Sequence, residues 1–259
     1  MKRSTLKYLV MAGAAIGLAA CSDSTTPSLI SDTQLTADVA ASTGDAAATT
    51  VENLVLNETN VALPTAMPSP GFDVLGSPPA IVRSRTCYDA SNAVVASCTP
   101  LSSVVKIVFH WTEDGSRSGA NFTGVVHRVR DVTVTRNFNS AVPPVEVSRT
   151  HSGVGTANDT AAFNNGTINR TVVEAASDSI QGVTWNLPRA NNPFPISGKL
   201  VRNVAIHATF QSANRTETRD VTKRIEVDFP ADAQGNVVLK LDAKTCNLNL
   251  VTHAVSNCQ

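Results

Sequence analysis

Residues 198–229 read GKLVRNVAIHATFQSANRTETRDVTKRIEVDF. In the first half Leu200, Val204, Ile206, Ala208 and Phe210 alternate with Lys199, Asn203, His207 and Gln211. In the second half Val221, Ile225, Val227 and Phe229 oppose Asp220, Thr222, Arg224, Glu226 and Asp228. A period of two sends successive side chains to opposite faces of a strand. Two such runs around Ser212-Ala213-Asn214-Arg215 predict a β-hairpin with one buried face and one wet face.

The same reading extends in both directions. Toward the C terminus, Asp232 to Asn236 predict a turn into 237–242, where Val237, Leu239 and Leu241 point inward. Toward the N terminus, 181–187 places Val183, Trp185 and Leu187 on one face. Asn165-Gly166, a strong hairpin signal, is flanked by runs at 159–163 and 167–175. Further strands are expected at 145–151 (after Pro143-Pro144), 122–137 and 104–111. In the last of these Val105, Ile107, Phe109 and Trp111 oppose Lys106 and His110, and Glu113-Asp114-Gly115 reads as its end. Ser152-Gly153-Val154-Gly155 lacks the second half of any phosphate-binding loop and reads as a hairpin turn.

About nine or ten strands in hairpin succession predict a mainly β domain over 81–259, with connections too short for parallel crossovers. The expected fold class is a large antiparallel meander, curled as a barrel or folded as a sandwich, joined to one N-terminal helix (α+β). The sequence shows no repeat of fixed period, which argues against a propeller. The outer faces are too charged for a lipid-facing barrel.

The helix is expected over 32–56. Ser31-Asp32-Thr33-Gln34 has the form of a capping box, and Leu35, Val39, Ala46, Val51, Leu54 and Val55 recur at roughly helical spacing. Gly44 and a run of threonines weaken it, and a longer tether is the alternative. The helix could cover an open side of the sheet. Residues 57–80 hold Pro64, Pro68, Pro70, Pro78 and Pro79 and read as an extended linker.

The first twenty residues have a basic start (Lys2, Arg3, Lys7) and an apolar run, YLVMAGAAIGLAA, too short to remain as a membrane span. They end in Leu18-Ala19-Ala20-Cys21, which resembles the lipobox of bacterial lipoproteins. The resemblance implies that 1–20 is a signal peptide, that cleavage falls before Cys21, and that the Cys21 thiol carries diacylglycerol. Ser22, rather than Asp, then favours the outer membrane. Residues 21–31 would form a flexible tether.

An ordinary secretory leader would leave five cysteines, an odd number; lipidation of Cys21 leaves four that can pair. Cys87 and Cys98 are eleven residues apart, and Cys246 and Cys258 twelve. Three pairings are possible, and the local spacing favours Cys87–Cys98 and Cys246–Cys258. A four-cysteine metal site would lack any CxxC spacing.

Charged residues are only 16% of the chain, and 21 basic residues balance 21 acidic ones. Losing the leader leaves 18 basic residues, a net charge of about −3, which gives no reason to expect nucleic acid as a partner. His110, His127, His151, His207 and His253 form no HxH or HExxH motif, and no GxSxG is present. Asp131, Glu146, Glu174, Glu217, Asp220, Glu226 and Asp228 are read as strand-edge carboxylates. Arg128, Arg130, Arg136, Arg149, Arg219 and Arg224 are expected to pair with them in a solvated ladder. The sharper alternative is an arginine patch for a carboxylated glycan or lipid headgroup. Trp111, Trp185 and the phenylalanines are expected in the core.

No catalytic residue, metal ligand or cofactor is therefore assigned. The expected role is a non-enzymatic, lipid-anchored envelope protein. Its partners would be the membrane, through the anchor, and an envelope protein, glycan or lipid ligand. A carrier of an apolar ligand in a half-open barrel is one alternative. An envelope glycan or peptide hydrolase using two facing carboxylates is the other.

Overall fold

The computed structural model describes residues 27–56, 80–96, 98, 104–119, 122–164 and 167–259. The leader, Cys21 and most of the 21–31 and 57–80 segments lie outside them. Among the described residues one helix, α1 (Asp32–Leu56), precedes eleven strands. These are β1 (Ala80–Tyr88), β2 (Val94–Val95), β3 (Lys106–Gly119), β4 (Phe122–Phe138), β5 (Glu146–Asn164) and β6 (Asn169–Asn186). They continue as β7 (Ser197–Gln211), β8 (Thr216–Asp228), β9 (Asn236–Leu241), β10 (Lys244–Asn249) and β11 (Val255–Ser256). All belong to a single antiparallel sheet in the order β11-β10-β9-β8-β7-β6-β5-β4-β3-β1-β2. The sheet curls without closing, so the two-layer sandwich does not arise.

Several strands are longer than the sequence pattern suggests. The runs expected at 145–151 and 159–163 are one strand of 19 residues, β5. Ser152-Gly153-Val154-Gly155 lies in its middle and is no turn. The glycines are there for closeness. A Cβ on Gly153 would stand 2.2 Å from the Asp131 carbonyl oxygen, and one on Gly155 2.6 Å from Cδ of Arg130. Likewise 167–175 and 181–187 merge into β6, with a register shift between Gln181 and Thr184. Strand β3 passes straight through Glu113-Asp114-Gly115 to Gly119. Glu113 is buried there against Arg117 and Arg128, so its carboxylate points into the protein and not into a turn.

Helix α1 begins where the capping signal places it: the Gln34 N–H donates to Ser31 Oγ at 3.1 Å. The Gln34 amide turns away and donates to Asp38 instead. The helix does more than cover an opening, because it lies in the concavity with most of its surface buried. Its large apolar contacts are few: Leu35, Val39, Val51 and Leu54. The rest of its buried surface is small or polar, including Asp38, Ser42, Thr43, Asp45, Thr49, Thr50 and Asn53. Gly44 suits this crowding, since a Cβ would stand 2.4 Å from Val255 Cγ2.

Trp111, Trp185, Phe109 and Phe210 are buried in the core, as expected. The disulfides join Cys87 to Cys98 and Cys246 to Cys258, the pairing that the spacing favours. Each ties down one two-residue edge strand of the sheet, which helps keep the edges from open pairing.

Candidate functional site

The inward face of a strand should carry apolar side chains at every second position. Five strands break that rule under the helix. On β4, Arg128 and Arg130 sit between Val126 and Val132; on β7, Arg202 sits between Leu200 and Val204. On β5, Asp159 lies between Ala157 and Ala161; on β6, Glu174 and Asp178 share parity with Val172, Ala176 and Ile180. Glu113 and Arg117 do the same on β3.

Strand register brings these groups together. Arg130 pairs across to Gly155, Gly155 to Asp178, and Asp178 to Arg202, so they form one transverse row. The bare Gly155 leaves room for the Arg130 side chain between the two charged columns. Arg130 Nη2 lies 2.5 Å from Asp178 Oδ2, and Arg202 Nη1 lies 3.2 Å from the same oxygen. Arg202 Nη2 also reaches Asp159 at 3.1 Å and Glu174 at 3.3 Å. Arg128 Nη2 meets Asp159 at 2.9 Å, and Arg128 Nη1 stands 3.8 Å from Glu113, which also binds Arg117. Four guanidinium groups thus face four carboxyl groups, and the cluster is balanced in formal charge.

The helix docks onto this cluster through its polar residues. Ser42 donates to Glu174, Thr50 accepts from Arg130, and Asp38 takes a two-pronged contact from Arg170 at 2.6 and 3.1 Å. Burial pushes the Glu174 carboxyl above its usual range, against the pull of Arg202. Burial works against the charge on Arg202, but Asp178, Glu174 and Asp159 more than offset it. Pairs of this kind offset desolvation only with close geometry and satisfied hydrogen bonds, and losing one partner is costly.

A second charged contact holds the helix from the other side. His253, in the C-terminal loop, is buried. Its Nδ1 lies 2.9 Å from Asp45 Oδ1 and its Nε2 lies 3.0 Å from Glu52 Oε1. An ionised carboxylate only accepts, so both ring nitrogens must donate and the ring is an imidazolium. Burial opposes that charge, but the two carboxylates outweigh it and raise the pKa to about 9. Asp45 is correspondingly held below its ordinary value, its own burial being overcome by His253.

The ladder expected in solvent is therefore divided. Arg128, Arg130, Arg136 and Glu174 are buried, which corrects the solvated reading for them. Arg224, Glu226, Asp228, Lys199 and Lys240 do form an exposed ladder. Arg136 and Arg149 both grip Glu146, at the rim of an open basin of about 660 Å³ whose walls include Val55, Val147, Leu187 and Arg189. Arg219 pairs with Glu217 and Asp32.

His110 and His207 lie on the polar face, across from Asp131 and Asp220 at 2.8 and 2.7 Å, and His127 meets Asp114 in the same way. His151 is buried edge-on against Trp185. Among the described residues no group of three His, Cys, Asp or Glu side chains is arranged to hold a metal ion. The space beside the cluster, between Thr43, Thr50, Asp178 and Arg202, is about 20 Å³. That is room for about one water molecule.

The polar stretch before the helix is fastened down rather than free at 28–32. Ser28 Oγ donates to Glu217 at 2.6 Å, the Leu29 N–H donates to Glu217 at 2.9 Å, and Arg219 donates to the Ile30 carbonyl at 2.7 Å. The Ser28 and Leu29 bonds hold the Glu217 carboxyl down to about 2.

Together these features define an open antiparallel meander wrapped around an N-terminal helix and salt-bridged through its middle. No protein-family model matches the chain, and the searches of curated proteins and of solved structures give no match either.

Proposed function

We propose that the chain is a lipid-anchored protein of the bacterial cell envelope, attached through Cys21 and held at the outer membrane. Its β domain acts as a non-enzymatic binding or structural module. One observation carries the second half of this reading: the inward-facing charges are spent on each other and on the helix. Glu113, Asp159, Glu174 and Asp178 each contact an arginine inside the domain. Facing carboxylates committed in this way are poorly placed for acid–base work on a substrate. The carrier alternative would need interior room where α1 lies. The attachment itself is supported by the leader and its lipobox.

The test is the intact mass of the protein purified from a diderm host, compared with Cys21→Ser. The expected mass is that of the chain from Cys21 plus two or three acyl groups, with the variant unacylated. A mature chain without acyl mass would refute the anchor. For the module itself, deletion should alter envelope integrity or the set of bound envelope components; a deletion that changes neither counts against a binding or structural role.

A further inference from the structure

We propose that the domain stands on the membrane by the end that carries the β3–β4, β5–β6 and β7–β8 turns, and presents the opposite end to the aqueous envelope. This rests on the reading of Cys21 as the acylated residue. The strand ends joined by these three connections fall at one end because consecutive strands are antiparallel: Gly119 pairs with Phe122, Asn164 with Asn169, and Gln211 with Thr216. The loops between Phe138 and Glu146, Asn186 and Ser197, and Asp228 and Asn236 fall at the other end.

The chain enters the fold at the turn end. Arg215, in the β7–β8 turn, donates to the Pro27 carbonyl, and Glu217 and Arg219 hold residues 28–32. Six peptide steps separate Cys21 from Pro27, which at ~3.5 Å each reach at most about 20 Å. Strand β5 has 19 residues. At ~3.3 Å per residue it spans roughly 60 Å, three times the reach of that segment.

Helix α1 runs the same way. Asp38 meets Arg170 near the turns, Thr50 meets Arg130 at mid-height, and Val55 lines the basin at the loop end. The outer face would dock poorly if the domain lay on its side. It presents the His110–Asp131, His127–Asp114 and His207–Asp220 pairs, which would lose hydration against lipid. The basin flanked by Glu146, Arg149 and Arg189 thus stands at the end far from the bilayer.

The test uses the acylated full chain in vesicles of phosphatidylethanolamine and phosphatidylglycerol that carry a lipid-bound acceptor dye. A donor is placed at Ala213→Cys in the β7–β8 turn or at Val142→Cys in the loop end. Energy transfer at 213 should exceed that at 142 at least several-fold. Asn214→Cys and Ala141→Cys form a second pair should either label disturb the fold. Equal or reversed transfer on acylated protein overturns the orientation while leaving the anchor standing. Vesicle binding by Cys21→Ser equal to that of the parent overturns the anchor, and the orientation with it.

Discussion

His253 makes the alkaline limb of the stability curve a direct readout of one contact. Its imidazolium is held by Asp45 and Glu52, with a folded pKa of about 9 against an ordinary 6.5. That difference is worth roughly 3 kcal/mol at about 1.4 kcal/mol per unit. Below pH 6.5 the folded and unfolded chains both carry the proton, and the contribution is fully present. As pH rises, the unfolded chain releases its proton first. Stability then falls with a slope approaching about 1.4 kcal/mol per pH unit, and the contribution is gone once the folded pKa is passed.

Replacing His253 with Gln leaves one neutral donor where two charged ones stood. Urea unfolding of both proteins should be followed from pH 5.5 to 10. The variant is expected to be about 3–4 kcal/mol less stable near pH 6, because a buried Asp45 loses its counter-charge. The gap should then close by roughly 3 kcal/mol toward pH 10. Subtracting one curve from the other removes every group the two proteins share. Parallel curves across this range, or an NMR-titrated His253 pKa at or below 6.5, would refute the reasoning.

Other outcomes follow from the cluster and the backbone. Arg202→Leu leaves Asp159, Glu174 and Asp178 short of a cation and should cost about 3–5 kcal/mol in urea unfolding; the double variant with Asp178→Leu should cost less than the two single changes summed. Gly155→Ala forces a methyl against Val129 and Arg130 and should cost about 1–3 kcal/mol, read as a lowered Tm. Replacing Cys246 and Cys258 together with Ser opens a twelve-residue separation, and should cost about 3 kcal/mol by the loop-entropy argument while leaving the Cys87–Cys98 bond intact in a thiol assay. Ser31→Ala removes the N-cap acceptor and should cost about 1 kcal/mol, with helical circular dichroism little changed at low denaturant.

The helix and the antiparallel meander were legible because each obeys a local rule. Ser31 marks the helix start, and the alternation of Leu200 through Phe210 marks the strand. Strand length was less legible. Glycine and acidic residues signal turns when read locally, yet Gly153 and Gly155 answer to the neighbouring β4 backbone, and Glu113 to arginines on β3 and β4. The cluster was the least legible part. Arg128, Arg130 and Glu174 were visible as charges, but their burial depends on which face of a long strand becomes the concave one. A usable signal did exist: Arg202 shares parity with Leu200 and Val204, and Asp159 with Ala157 and Ala161. A charge on the apolar parity, repeated on adjacent strands with opposite signs, points to a buried ionic row. His253 had no such signal, because its partners lie 208 and 201 residues away.

That separation bears on how the chain matures. The helix is made before the strands and cannot be held in place by the sheet until β4 to β7 have followed it. The cation that Asp45 and Glu52 await arrives only with His253, after β1 to β10 and beside the second half of the Cys246–Cys258 bond. Contacts of such long range make for slow folding. A chain cut just before His253 would lack that cation, and β11 with it, even with β1 to β10 present. The result is an almost complete sheet whose N-terminal helix is loose, so this truncation should be degraded by proteases far more readily than its size suggests.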